Sequence, residues 1–221
     1  MSTQEKKKGL DEEHIMGRNL TADCKKCRRS GEKLFLKGTR CHSAKCALEK
    51  RDFPPGPRAK RMKKPTEYGR RLREKQKVRF FYGVTEGQMK INFKKASRRK
   101  GIAGHNFLAI FEMRLDNALF RAQIAKSRKE ARQIVLHGHV RINGKRMDIP
   151  SYSLKPGDEI KLKDASVKQF GDRFEATKTS GTPAWIVYSE KDKNLKISHE
   201  PERSEIDIPV EEQLVVEFYS Q

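Results

Sequence analysis

Four cysteines are the residues in this 221-residue chain best suited to chemistry, spaced Cys24-x2-Cys27-x13-Cys41-x4-Cys46. Two short-range pairs joined by a loop are what a tetrahedral Zn2+ needs to collect thiolates at about 2.3 Å. Two residues between Cys24 and Cys27 allow a tight knuckle, and four between Cys41 and Cys46 allow a wider turn or a helix start. Lys25, Lys26, Arg28, Arg29 and Lys45 flank the ligands and offset the negative charge of a zinc bound by four thiolates. Four protein ligands close the coordination shell, whereas a catalytic zinc keeps a position open. The expectation is a structural zinc site at Cys24, Cys27, Cys41 and Cys46. His42 could replace one cysteine, although adjacent residues rarely serve one metal together. Four ordinary reduced cysteines, or a redox CxxC, are the other readings. The second needs a βαβ pattern around Cys24, and none is present.

The elements that would carry this site lie in strongly basic chain. The formal net charge is +21, and residues 16–101 hold 28 Lys and Arg against seven acids, an excess equal to the total. Residues 102–163 carry twelve against six, and residues 164–221 seven against twelve. Such asymmetry points to a polyanionic partner for one half and ordinary solvated surface for the other. No apolar run approaches a membrane span, and no secretory signal is visible, so a soluble intracellular protein with reduced cysteines is expected. Residues 1–15, of mixed charge, read as a disordered extension.

Phe53-Pro54-Pro55-Gly56-Pro57 reads as an extended connector, because proline fixes φ and removes donors. The run Arg58, Lys60, Arg61, Lys63 and Lys64 follows, without balancing acids, and is expected to thread along phosphates. Thr66 caps a predicted helix that Gly83 ends, with Arg70, Arg71, Arg73, Lys75 and Lys77 as further RNA-binding candidates. Tyr68, Phe80, Phe81 and Tyr82 could stack on bases, but at helical spacing they belong in a core. Thr85 and Gln88 open another helix, with Met89, Phe93 and Ala96 as its apolar stripe.

Residues 105–163 are the most legible. Leu108, Phe111, Leu115, Ala118, Leu119 and Ala122 mark one helical face. Ser127-Arg128-Lys129-Glu130 is a capping box, and Asn143-Gly144 is a strong hairpin signal between Val140-Arg141-Ile142 and Met147. Ile160-Lys161-Leu162-Lys163 alternates as a strand. The order is helix, helix, hairpin, strand. Its donors are Arg114, Arg121, Ser127, Arg128, Lys129, Arg132, His137, His139, Arg141, Asn143, Lys145 and Arg146. Ser127 is first a cap, and Asn143 first a turn former. Further on, Trp185-Ile186-Val187-Tyr188 suggests a strand. Residues 209–221 read as a helix start at Pro209 with Val210, Leu214 and Phe218 four apart, although LVVEFY has strand propensity too.

Residues 113–160 resemble the S-four RNA-binding domain. Residues 65–83, LFLKGTRC at 34–41, FPPG at 53–56 and PVEEQLVVEFYS at 209–220 are similar to other parts of the bacterial S-four family of small-subunit ribosomal proteins, and the cysteine spacing to its zinc-containing form. The likeness runs in order from Met16 onward. Gly87, Met89 and Gln221 depart from the family's usual residues, and residues 1–15 precede its usual start. The resemblance implies an α+β protein. A zinc and helical part (16–104) would be followed by an RNA-binding part with further strands (105–205), and residues 206–221 would pack back on the first. It also implies direct binding of small-subunit ribosomal RNA, early assembly, a contribution to translational accuracy, contact with the neighbouring small-subunit protein S-five, and a place near where messenger RNA enters. No homo-oligomer, membrane or catalysis is expected.

Two other functions compete with this reading. An RNA-modifying enzyme with an appended S-four-like domain needs a catalytic domain, and residues 164–221 are too short for one. A zinc-containing DNA-binding regulator needs a recognition helix and usually a dimerisation element, and neither is evident.

Overall fold

A computed structural model describes residues 21–56, 64–163, 166, 170, 182–189 and 194–220. The predicted extension at 1–15, Pro57 of the connector, and Arg58, Lys60, Arg61 and Lys63 of the basic run lie outside the described residues. The chain divides into two compact units. The first holds the described residues up to Leu36, then Arg40–Lys94, and those from Val210 onward; the second holds Lys37–Thr39 and Lys95–Pro209.

The first unit contains helices Asp23–Ser30 (α1), Ala47–Lys50 (α2) and Glu67–Tyr82 (α3), most of Glu86–Ser97 (α4), and Glu212–Ser220 (α8). Sequence chemistry sets the ends of α3. Thr66 accepts a hydrogen bond from the Gly69 N–H at 3.1 Å, and Gly83 takes φ 65°, which a side chain would strain. Met89, Phe93 and Ala96 of α4 are buried, as their spacing predicts. Residues 212–220 resolve the ambiguity of LVVEFY in favour of helix. That helix lies on α3, where Arg71 pairs with Glu217 at 2.9 Å and the Glu211 N–H donates to Glu74 at 3.1 Å. Tertiary packing overrides strand propensity there.

The second unit combines helices Ala103–Glu112 (α5), Leu115–Arg121 (α6) and Arg128–Leu136 (α7) with a five-stranded antiparallel sheet. Its strands are Val140–Ile142 (β1), Lys145–Met147 (β2), Glu159–Leu162 (β3), Ile186–Ser189 (β4) and Asn194–Ile197 (β5), in the order β2-β1-β3-β5-β4. The chain is thus a mixed helix and antiparallel-sheet structure. Leu115, Leu119, Ile134, Val140, Ile142, Ile160, Trp185, Leu195 and Ile197 share one core.

One expectation needs correcting. The apolar face from Leu108 to Ala122 belongs to two helices, not one. Arg114 is extended (φ −76°, ψ 141°) and bridges to Ser153. The Leu115 N–H donates to the Tyr152 carbonyl at 2.9 Å and the Leu154 N–H to that of Met113 at 2.8 Å. A distant chain segment supplies hydrogen bonds that a continuous helix would have made internally, and hydrophobic periodicity carries no trace of it.

Candidate nucleic-acid interface

The predicted donors fall into two groups. Several make internal ion pairs. Lys75 is buried, paired with Glu86 at 2.8 Å and set 4.8 Å from the centre of the Phe218 ring. Lys77, also buried, pairs with Glu74 at 2.8 Å and Glu32 at 3.1 Å. Arg114 grips Asp116 through two bonds of 3.0 and 2.7 Å, and Arg121 grips Glu112 through bonds of 3.0 and 2.8 Å. Arg71 is half-buried against Glu217. Asn143, at φ 49°, donates to Asp158 at 2.9 Å and accepts from the Glu159 N–H at 2.9 Å, so its side chain locks the hairpin to β3. Ser127 caps α7, accepting from the Glu130 N–H at 3.2 Å. The predicted box is only half formed, because Glu130 accepts from the Lys126 N–H instead of that of Ser127.

The second group is displayed. Lys64, Arg70, Arg73, Lys129, His137, Arg141, Lys145 and Arg146 are exposed, and Arg128, Arg132 and His139 are partly so. Arg70 has Glu67 at 3.6 Å, an exposed pair of little consequence. Arg132 lies 3.7 Å from Asp116. His139 shares a 2.8 Å hydrogen bond with the Ser166 hydroxyl and sets its ring edge-on to Phe170.

Strand register brings part of this group together. Arg141 on β1 stands directly opposite Arg146 on β2 and Lys161 on β3. Like charges directly opposed across strands destabilise a sheet. Val140 and Ile142, on either side of Arg141, are buried, so all three cations stand on the face turned away from the core. Gly138 keeps Arg146 close, since a Cβ there would come within 2.8 Å of the Arg146 guanidinium. Lys161 was missed as a site residue in the sequence. Its signal was the alternation Ile160-Lys161-Leu162, which puts it in phase with Arg141 once the strands pair.

The four cysteines sit in the first unit. Cys24 and Cys27 are on α1, Cys41 is in a 3-10 turn at Gly38–His42, and Cys46 precedes α2. None is in a disulfide. Burial raises the Cys27 thiol above its ordinary range; a backbone hydrogen bond at Leu34 opposes this, and Cys41, Cys24 and Cys46 raise it further. Among the described residues, however, no three His, Cys, Asp or Glu side chains are gathered into a metal-holding set. The donor chemistry of four thiols suits zinc. His42 stacks on Phe35, ring centres 4.9 Å apart.

Arg28 donates to the Phe53 and Pro54 carbonyls at 3.0 and 3.4 Å, fastening the connector's start to the cysteine-bearing helix. No helix among the described residues is long and apolar enough to cross a membrane.

A capped helix followed by a hairpin whose outer face is cationic defines a module suited to a polyanionic partner. Comparison with known proteins makes this specific. Residues 18–112 match the family model described as ribosomal protein S4/S9 N-terminal domain, and residues 113–160 match the S4 domain. Small ribosomal subunit protein uS4 of Halothermothrix orenii is 49% identical over 199 residues, covering 89% of this chain and 96% of that protein. The uS4 proteins of Desulfotalea psychrophila and Thermus thermophilus are 49% and 45% identical over 208 residues, each covering 93% of this chain and 99% and 100% of theirs. The chain belongs to the small ribosomal subunit protein uS4 family, a family of ribosomal proteins and not of enzymes. The boundary between the two family models, after Glu112, coincides with the break between α5 and α6.

Proposed function

We propose that this protein is a structural constituent of the small ribosomal subunit that binds small-subunit ribosomal RNA directly, nucleates assembly and contributes to translational accuracy. The observation that carries the reading is the row Arg146, Arg141 and Lys161 on the solvent face of the sheet. A sheet holds three opposed cations at a loss in its own stability, and a phosphate backbone reverses that loss. Lys129 and Lys145 are further exposed cations of the same unit, and family membership supplies the ribosomal setting. Phosphate contacts of this kind orient a protein on structured RNA, whose shape and 2′-hydroxyls supply recognition.

The same proposal covers finer points. The partners are ribosomal RNA, the neighbouring small-subunit protein S-five and messenger RNA where it enters, in the cytoplasm. Arg58, Lys60, Arg61, Lys63 and Lys64 follow phosphates as a basic strand. Cys24, Cys27, Cys41 and Cys46 hold one structural Zn2+, which would draw the thiols into a closed shell and brace the first unit.

Two experiments test this. Replacing Arg141, Arg146 and Lys161 together by glutamine is expected to leave the circular dichroism spectrum unchanged. It should make the salt dependence of binding to a small-subunit RNA fragment shallower by roughly 2 in the log–log slope. An unchanged slope would show that the wrong face was chosen. For the metal, purified protein is expected to contain about one zinc per chain, with chelation lowering the melting temperature. Folded protein without zinc would remove that part of the proposal.

A further inference from the structure

We infer that Tyr68 is a stacking platform for an unpaired base of the bound RNA; this rests on the reading of the protein as an RNA binder. Of the four aromatic residues that the sequence offers for base stacking, three turn inward. Phe81 and Tyr82 are buried, and half-buried Phe80 has the Lys26 ammonium 5.8 Å from its ring centre. Tyr68 is 57% exposed, and among the described residues no other phenylalanine, tyrosine or tryptophan is exposed. A ring left so far in water adds little to a core, so helical spacing misplaces this one residue.

The exposed ring is braced from behind. Its centre lies 5.8 Å from that of Phe218 on α8, with the planes tilted by 38°. Phe218 meets Tyr219 edge-on at 5.4 Å, and Tyr219 stacks on buried Phe93 of α4 at 4.9 Å. These inner rings are fastened in turn. The Lys75 ammonium lies 4.8 Å from the Phe218 ring centre, and the Tyr219 hydroxyl donates to Glu86 at 2.9 Å. Tyr68 is thus the outer end of a run of aromatic rings that reaches into the core of the first unit. It also stands in the first turn of α3, just after the Thr66 cap that fixes the backbone there. A ring held in place beforehand loses less freedom when a ligand stacks on it.

The charges along the chain on either side of Tyr68 select the ligand. Lys64, Arg70 and Arg73 are exposed, and the acid paired with Arg70, Glu67, is exposed too. Arg71 is spent on Glu217. A nucleotide matches both features, since its phosphate meets the cations while its base covers the ring. Every base has a π-face, so the platform takes any base, provided that base is free of a helical stack, as in a loop, bulge or junction.

Binding of the full-length protein to a small-subunit ribosomal RNA fragment with unpaired bases, over a salt series, tests the inference. Tyr68→Ala is expected to weaken binding roughly tenfold. Stacking releases no counterions, so the log–log salt slope should stay that of wild type. On a fully paired RNA of equal length, where no base is free, the two proteins should bind alike. Tyr68→Trp should bind as wild type does, and its added indole fluorescence should fall as RNA saturates. Trp185 is the chain's one native tryptophan and has no solvent exposure, so wild-type protein supplies the background. Wild-type affinity in Tyr68→Ala would overturn the inference and leave the ring to a protein partner. So would an equal loss on paired RNA, or a loss that comes with a shallower slope. If Tyr68→Ala fails to fold, Tyr68→Trp decides, because unmoved fluorescence at saturation overturns the stack. If wild type binds neither RNA, the proposed function itself falls; if the triple glutamine variant loses affinity while Tyr68→Ala does not, only the stack falls.

Discussion

Several residues do two things, and the structure shows which comes first. Ser127 is a cap: its hydroxyl accepts from the Glu130 N–H at 3.2 Å, at the head of the helix that carries Arg128 and Lys129. Ser127→Ala is expected to lower unfolding free energy by about 1 kcal/mol in urea denaturation. Its RNA affinity below the transition should stay within a factor of about two; a larger loss would make Ser127 an RNA contact. Gly138 shows the reverse order. It sits at φ 72°, and an added Cβ would meet the Arg146 guanidinium at 2.8 Å, the far end of a flexible side chain. Gly138→Ala should therefore lower stability by roughly 1–2 kcal/mol through backbone strain. It should also weaken RNA binding by displacing Arg146. Unchanged affinity would show that Arg146 does not need the place Gly138 gives it.

At the scale of elements, ion pairs between distant segments hold the first unit. Burial acts to raise the Glu86 carboxyl, but hydrogen bonds from Lys75 and Tyr219 outweigh it and hold that carboxyl below the usual range. Burial acts to lower the Lys77 ammonium, yet hydrogen bonds to Glu74 and Glu32 leave it raised. Burial and the bond to Glu86 push the Tyr219 phenol far upward. A carboxyl depressed by folding contributes stability above its unfolded pKa and loses it as pH falls through its folded pKa. Urea titrations between pH 7 and pH 2 should thus show stability falling on the acid side, and Glu86→Gln should flatten that fall. At neutral pH the same variant is expected to be less stable by roughly 2–3 kcal/mol, because Lys75 stays buried without its partner. An acid limb identical to wild type would contradict the assignment. These pairs explain what sequence could and could not disclose. Thr66, Gly83, Thr85, Ser127 and Asn143-Gly144 act on their own neighbours, so caps and turns were legible. Lys75 and Glu86 are eleven residues apart and Lys77 and Glu32 forty-five, so these lysines read as displayed cations until folding buried them. The break at Arg114 was hidden for the same reason, since its partners lie near Ser153. Lys161 was hidden until register placed it beside Arg141.

For the whole molecule, the excess of +21 within residues 16–101 and the smaller excess of twelve cations over six acids in residues 102–163 suggest a division of labour. The first stretch supplies general attraction to phosphate. The second supplies fewer cations, held in register on a sheet and on a capped helix. Non-specific attraction weakens steeply with salt, while an arrayed set of donors keeps its preference for the RNA shape it fits. The most direct measurement is binding to a structured small-subunit ribosomal RNA fragment and to duplex DNA of equal length, across a salt series on the same full-length protein. The expected result is tight, salt-dependent RNA binding with duplex DNA far weaker throughout, the preference widening as salt rises. Equal affinity for the two at moderate salt would contradict the account.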